Sequence, residues 1–581
     1  MQTASVDAVF LNRVAEAADQ AVQAMLETHD ADVAALAHRP AMGRLLALVT
    51  VFTEPGSTFY GSDGLREPMA VCLDRLEQLQ GPTGLFDGTN LCSPPDSAFT
   101  LNDVCLALSL IRALDTPPDP VLAGVDARLR GIVSRATDAM VTGGVHTPNH
   151  RWELCAALAQ MDRLQPRPGI AERISEWLAE GIDQLPDGMY SERSPLYATA
   201  VTNPSLLTIA DSSGRPELLD HVRRNLTAFL PWFSPDGSVE SVFSRRQDQW
   251  MTFDAAPFLH LYRRLANQDG RQDFAAAAAW LEVLPLHEPA KLLALSRLDP
   301  WLREALPGSR PAEGAPPSSD TSIHAAMAPA GAALESCGVY RFRDAGSVTT
   351  VFGGCDALVP GVVSGLAANP TFLRFAHGAA VLTDVRLSRS FFDLGPFRSQ
   401  HTVANGTAVT LSEELEANFY LPLPAQKRRA DGIYTLEHEG RFSAGMDFSS
   451  RPTAVHRLAT DVAVQADGGQ AVLDISFEGA DTAFALELTF RPGGTLDGVT
   501  PLGGTGAFQL VEGMGRYRVG ADAIEFGPGL PAGPDTPAAY NPGESYRYLA
   551  GTNATGGVKV YITGRTRGSH RFTLRGLHRS S

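Results

Sequence analysis

Residues 307–325, PGSRPAEGAPPSSDTSIHA, decide how this chain divides. They are rich in Pro, Ser, Gly and Ala and carry no periodic apolar face, which reads as an interdomain linker. On the N-terminal side the pattern is helical. Leu11–Leu26, Leu65–Leu79, Phe99–Leu114, Val121–Val141, Trp152–Leu164, Ile170–Ile182, Leu196–Ala210, Glu217–Leu230 and Ala255–Leu265 space their apolar residues three and four apart, with Gly/Pro/Asp/Ser connectors between them. Roughly ten to twelve helices without a fixed repeat signature point to a closed (α/α) toroid or incomplete barrel rather than an open array. On the C-terminal side the texture changes to short segments rich in Val, Thr, Phe and Tyr, among them Ser347–Phe352, Ala379–Leu387, Thr402–Leu411, Ala471–Phe477, Ala483–Phe490 and Val558–Thr563. Many short strands with no long helix among them predict an antiparallel β-sandwich. The expected fold is thus an α+β multidomain chain: toroid over 1–306, linker over 307–325, β-sandwich over 326–581.

Composition narrows the partners. With 44% hydrophobic and 19% charged residues the 581-residue chain is of the soluble globular class. A net charge of −17 and the lack of a Lys/Arg run exclude nucleic acid and an anionic membrane as main partners. An acidic ligand would need a local basic site working against that field. The N-terminus lacks the basic and then uninterrupted apolar pattern of a signal peptide, and no run reaches the ~18 apolar residues of a membrane span, so a cytoplasmic protein is expected. Six scattered cysteines without a CxxC pair read as free thiols.

The densest chemistry lies in Thr147–Pro148–Asn149–His150–Arg151–Trp152–Glu153, at the start of a helical pattern. Asn149 is suited to cap the helix, and i,i+3 spacing sets His150 beside Glu153. First-turn amides and the macrodipole favour an anion there. Taken alone, an Asn-His pair is more often a capped helix with a structural histidine. A second cluster, Asp187–Gly188–Met189–Tyr190–Ser191–Glu192–Arg193–Ser194–Pro195–Leu196–Tyr197, sets two phenols, a carboxylate and a guanidinium side by side. A tyrosine at a helix start is usually packing, but a core would exclude the charges beside these two. A third cluster carries Asp236, Glu240, Asp248 and the pair Arg245–Arg246, whose N–H donors suit a carboxylate; a solvated basic turn is the plain alternative. In the β region, Arg374–Phe375–Ala376–His377–Gly378 alternates faces, and Gln400–His401 follows. A lone strand histidine is usually structural, though Gly378 permits close approach.

Together these residues resemble the heparinase II/III-like polysaccharide lyases and the related alginate and oligoalginate lyases. The likeness covers nearly the whole chain in architecture; the motifs are the Asn-His helix start, the DGxYxExxxxY segment and the HG strand. It implies β-elimination on uronic-acid chains by a carbon–oxygen lyase. Asn149 and His150 match the pair that neutralises the uronate carboxylate, and Glu153 matches an acidic residue of some members. Tyr197 is similar to the tyrosine that acts as acid and often as base, with Tyr190 the competing alignment; His377 resembles a β-domain histidine that serves as second base. Trp152, Glu192, Arg193, Arg245, Arg246, Arg374 and His401 complete the expected substrate contacts. Arg193 departs from the pattern, standing where relatives commonly have glycine. No cofactor is expected. Some members hold a structural divalent metal in the β domain, and its histidine and aspartate ligands have no clear match here. The expected partner is an acidic oligo- or polysaccharide, with a homodimer as the candidate assembly.

The chemistry is consistent with that likeness. Removing the proton α to a carboxylate builds an enolate-like dianion, so donors such as Asn149, His150 and an arginine must first neutralise the carboxylate. One tyrosine can then serve as base and acid, provided that a cation such as Arg193 or Arg245 lowers its ordinary pKa of ~10. The alternative is a glycoside hydrolase on the same toroid, drawing two carboxylates from Asp187, Glu192, Asp236, Glu240 and Asp248. A carbohydrate-binding protein without turnover is the third class.

Overall fold

A computed structural model of the chain describes residues 6–27, 32–33, 35–88, 91–114, 119–308, 329–356, 369–440, 442–543 and 555–578. It divides into two compact units, Met1–Val239 with Phe253–Met327, and Glu240–Thr252 with Ala328–Ser581. Apart from Pro307 and Gly308, the expected linker lies outside the described residues.

The first unit is helical. Its longer helices are α1 (Ala8–Leu26), α2 (His38–Thr53), α3 (Arg66–Leu79), α4 (Pro94–Arg112), α5 (Pro120–Thr142), α6 (Pro148–Leu164), α7 (Ile170–Ala179), α8 (Asn203–Ser213), α9 (Leu218–Phe229), α10 (Leu259–Asp269), α11 (Gln272–Glu282) and α12 (Pro289–Leu298). Helices α2, α4, α6 and α8 pack in series, and α12 closes back on α1, α2 and α4. The inner helices owe their place to composition. From Ala41 to Thr53 every residue of α2 except Gly43 is buried, as expected of a helix apolar all round. Each fully buried Leu or Val there contributes roughly 1.5–3 kcal/mol of transfer free energy. The outer α9 instead buries one stripe, Leu218, Leu219, Val222, Leu226 and Phe229, and turns Arg223 outward to Asp220 and Asp269.

Proline positions set the starts. Pro94, Pro120, Pro148 and Pro289 stand in the first turns of α4, α5, α6 and α12, where a missing N–H costs nothing. Pro204 acts differently. The expected continuous helix over Leu196–Ala210 is a short turn, Pro195–Tyr197, then a π-turn, Ala198–Thr202, and only then α8. Lacking an N–H, Pro204 cannot bond back to residue 200, and the Asn203 N–H reaches Ala198 instead.

The second unit is a sandwich of two sheets. Its strands are β1 (Gly331–Leu334), β2 (Val339–Asp344), β3 (Ser347–Phe352), β4 (Leu373–His377), β5 (Ala380–Arg389), β6 (His401–Asn405), β7 (Ala408–Tyr420), β8 (Thr453–Asp467), β9 (Gln470–Gly479), β10 (Ala483–Phe490), β11 (Thr495–Asp497), β12 (Thr500–Leu502), β13 (Ala507–Gln509), β14 (Gly515–Val519), β15 (Asp522–Gly527), β16 (Val558–Arg565) and β17 (Gly568–His578). One sheet runs β12-β13-β16-β10-β5-β4-β3-β2-β1, the other β6-β7-β8-β9-β17-β15-β14-β11. Pairing is antiparallel except between β13 and β16. The expected strand Thr402–Leu411 is in fact a hairpin, β6 to β7, turning at Gly406 with φ +61°. Alternate residues of both sheets, including Leu373, Phe375, Leu382, Val385, Leu458, Val462, Leu473, Ile475 and Ile524, form one core. Within it Arg389 of β5 is fully buried, paired with Glu413 of β7 and donating to Thr460 of β8, so the sheets share a polar tie.

All six cysteines are free thiols. Among the described residues no helix is long and apolar enough to cross a membrane.

Candidate active site

Helix α6 begins at Thr147, whose extended backbone sets the cap, with Pro148 behind it. Asn149 is therefore inside the first turn and is not the cap expected from its residue type. Its Oδ1 accepts from the Thr147 hydroxyl at 2.7 Å. Its Nδ2 is buried and has no hydrogen-bond partner among the described residues. An amide N–H stripped of water without a partner costs about 1–3 kcal/mol, and a ligand oxygen would recover it. Next to it, the half-buried His150 meets the edge of His146, with ring centroids 4.8 Å apart, and that of Phe99 at 6.3 Å.

A cation lies beyond that phenyl ring. The Arg39 guanidinium stacks on Phe99, 3.8 Å from its centroid, and pairs with Asp96. Asp96 also bonds the buried His38, whose other ring nitrogen meets Thr100 at 2.7 Å. The His38 bond, ahead of the Arg39 charge, holds Asp96 below the ordinary carboxylate range. This group of His38, Arg39, Asp96, Phe99 and His146 was not foreseen. Its signal was available, since Ala37–His38–Arg39–Pro40 opens α2 as Pro148–Asn149–His150–Arg151 opens α6.

Tyr197 ends the turn Pro195–Tyr197, where its backbone N–H donates to Ser194 at 3.0 Å. The π-turn that follows packs against α6, so the Asn149 helix and the tyrosine-bearing turn are carried on touching elements. Arg193 has φ +54°, the left-handed region that favours glycine. The backbone there favours glycine, and the guanidinium is held in it at about 1–2 kcal/mol of backbone cost. Arg193 and Glu192 are both buried.

Other expected contacts are structural. Trp152 is fully buried and its indole N–H donates to Asp183 at 3.0 Å. Asp183 also takes Ser191 and Arg151, so the tryptophan fastens α6 to the loop before Tyr190. Glu153 is buried and accepts from Asn102 Nδ2 at 2.7 Å and Ser205 Oγ at 3.0 Å. Burial raises its carboxyl to about 7 against those two bonds. Tyr190 is buried too, and its hydroxyl donates to Asn203 at 2.7 Å, which donates to Asn225, which donates to the Gly188 carbonyl. Burial, with Asp183 nearby, lifts its pKa well above the ordinary phenol value. Tyr190 thereby braces the loop that ends in Tyr197.

No family model matches the chain, and no curated protein matches it. Among solved structures it is similar to heparinase III, with a TM-score of 0.54 and 11% identity, over 94% of this chain and 77% of that one. It is also similar to Streptomyces coelicolor A3 chondroitin AC lyase in complex with chondroitin sulphate, with a TM-score of 0.50 and 14% identity, over 99% of this chain and 80% of that one. The likeness is one of fold.

In the β unit of this heparinase III-like fold the expected contacts are bound within the chain. Arg374 donates to Glu240 Oε1 at 2.5 Å and to the Gln249 carbonyl at 2.8 Å. Arg341 donates to Glu240 Oε2 at 2.9 Å. Burial alone would raise the Glu240 carboxyl; Arg374 and Arg341, helped by the Val242 N–H, overcome it and hold the group at about 2. Arg245 grips Asp356 through two donors, at 2.8 and 2.6 Å. Both arginines spend their forks on carboxylates or carbonyls of the chain itself. Arg246 caps the short 3-10 turn Gln247–Trp250 and is not at an α-helix start. His401 is exposed on the edge strand β6. His377 ends β4 and bonds Ser347 at 2.9 Å, and burial lowers its pKa. Of the carboxylates considered for hydrolysis, Glu240 is held ionised by two arginines, Asp248 takes the Ser244 hydroxyl, and Asp236 takes Ser238.

Proposed function

We propose that the protein is a polysaccharide or oligosaccharide lyase that cleaves a uronic-acid-containing glycan by β-elimination. The observation that carries this reading is the buried, unpartnered Asn149 Nδ2 beside His150 at the start of an inner helix, a donor pair suited to a uronate carboxylate. The fold likeness to heparinase III and chondroitin AC lyase raises the prior without assigning residues.

In this reading Asn149 Nδ2 and His150 donate to the carboxylate and draw charge from C5 as its proton leaves. Tyr197 Oη takes the C5 proton. The C5 electron pair forms the C4=C5 double bond, the C4–O bond breaks, and the same phenol returns its proton to the departing glycosidic oxygen. One proton moves from carbon to oxygen, and no water is consumed. Arg193, four residues before Tyr197 in the same loop, supplies a further positive charge for the substrate.

The test is ultraviolet absorbance of the new double bond across alginate, glucuronan, heparan, chondroitin and hyaluronan. The expected result is signal on at least one polymer or its oligosaccharides, with Asn149→Ala losing about 2–4 kcal/mol of transition-state stabilisation. Saturated reducing-end products, removed by one carboxylate substitution, would replace this reading with the hydrolase.

A further inference from the structure

We propose that His377, Asp522 and His578 form a binding site in the β unit for one divalent transition-metal ion of the zinc class. Each residue offers a ligand atom, and the three atoms lie within 4.8 Å of one another. Two ligands held about 2.1 Å from a shared tetrahedral zinc are about 3.4 Å apart, so small side-chain rotations close the set. Two imidazoles and a carboxylate are donors that suit zinc and its neighbours rather than calcium or magnesium.

The strands are arranged to bring the three together. Asp522 and His578 are register partners on β15 and β17, neighbours in one sheet. His377 comes from the other sheet, at the end of β4 where it turns into β5. Asp522 crosses between the sheets by accepting the Ala379 backbone N–H of that turn at 2.8 Å, and its Oδ1 meets His578 Nδ1 at 2.9 Å. The ion would thus pin the two sheets at one end of the sandwich.

A second observation concerns the Nδ1 side of His377. The Ser347 hydroxyl donates to the Gly469 carbonyl at 3.0 Å, so its single hydrogen is spent. With that hydrogen on Gly469, Ser347 accepts from His377, 2.9 Å away, in the tautomer that carries its proton on Nδ1 and its lone pair on Nε2. Fixing the tautomer through the far nitrogen is how proteins orient metal-binding histidines. Two glycines keep the space clear. A Cβ at Gly576 would overlap the His377 ring and Ser347 Oγ, and one at Gly378, where φ is +54°, would overlap Asp522 Oδ2. His578 is largely exposed, which leaves a path for the ion and an open coordination position. With a metal present, the Asp522–His578 bond gives way to two bonds to the ion, and any proton carried on the pair is released.

None of this depends on the lyase reading. The ligands are also not the set expected from the family resemblance, which had no match. Full-length protein is stripped with a chelator and titrated with Zn²⁺ against a chromophoric competitor, and with Co²⁺ followed by its visible absorption. The expected result is one ion per chain, with His578→Ala and Asp522→Ala each weakening it at least tenfold and changing the Co²⁺ spectrum. His401→Ala, an exposed histidine of the same unit, leaves both unchanged. Ser347→Ala weakens binding by about tenfold through the lost tautomer control. His578 is exposed, so its variant should melt as the metal-free parent does and decides the matter even if Asp522→Ala fails to fold. No binding at one equivalent, or binding equally tight in His578→Ala, overturns the site.

Discussion

Two buried glutamates, one in each unit, meet opposite fates. Glu153, inside the helical ring, is given only neutral donors, Asn102 and Ser205, and burial raises it to about 7. Glu240, in the β unit, is clasped by Arg341 and Arg374 and held at about 2. Both carboxylates are close to fully desolvated, so the partner's charge decides the sign of the shift. The difference separates two uses of a buried acid. Glu240 is an anchor that fastens Glu240–Thr252 to β2 and β4. Glu153 is a helix-to-helix link that works best protonated, joining α4, α6 and α8 directly beneath the Asn149 turn.

The largest expected effect is on the anchor. Glu240→Ala removes the carboxylate that Arg341 and Arg374 share, which costs about 3–5 kcal/mol. Chemical denaturation of the β unit reads it, and a loss under about 1 kcal/mol would break the contrast. Its pH dependence has a definite sign. A carboxyl lowered to about 2 contributes fully above the ordinary value near 4.5 and loses that contribution as pH falls from there toward 2.

Glu153 runs the other way. With a folded pKa of about 7 against an ordinary value of 4.5, it costs nothing below pH 4 and progressively more as pH rises to 7, reaching about 3 kcal/mol above it. Glu153→Gln keeps an acceptor for Asn102 and offers a donor to Ser205. Its melting temperature should exceed the parent's at pH 8 and match it at pH 4. Equal melts at both pH values would show that Glu153 carries no such penalty.

Smaller effects sharpen the contrast within the helical unit. Tyr190→Phe leaves Asn203 Oδ1 without its donor and should cost about 1–2 kcal/mol of stability while product formation continues. Arg193→Gly relaxes a left-handed backbone, worth about 1 kcal/mol in the melt before the side chain's own contacts are subtracted, and should slow turnover. A variant that is both more stable and as fast would remove Arg193 from the chemistry.

The sequence was most readable where information is local. Val121–Val141, read from spacing, is the helix Pro120–Thr142, and Ala483–Phe490 is a strand with those same ends. Helices α2 and α11 are harder to delimit by spacing because LLALVTVF and FAAAAAW are almost wholly apolar. Thr147–Pro148 already fixed the cap of α6, a local rule that Asn149's capping preference obscured. What could not be read is which residues are spent inside the fold. Trp152, Glu153 and Tyr190 find their partners 31, 51 and 13 residues away, at Asp183, Asn102 and Asn203. Spacing along one helix says nothing of neighbours supplied by another. Arg245 and Arg374 looked free for a substrate for the same reason, since Asp356 and Glu240 are distant in the sequence.

The account stands most directly on the two tyrosines of one loop. Elimination product should be followed by ultraviolet absorbance on a uronate panel for the parent, Tyr197→Phe and Tyr190→Phe. The prediction is product from the parent and from Tyr190→Phe, and none from Tyr197→Phe with its fold intact by circular dichroism. Product from Tyr197→Phe at the parent's rate, or none from the parent on any uronate, would contradict it.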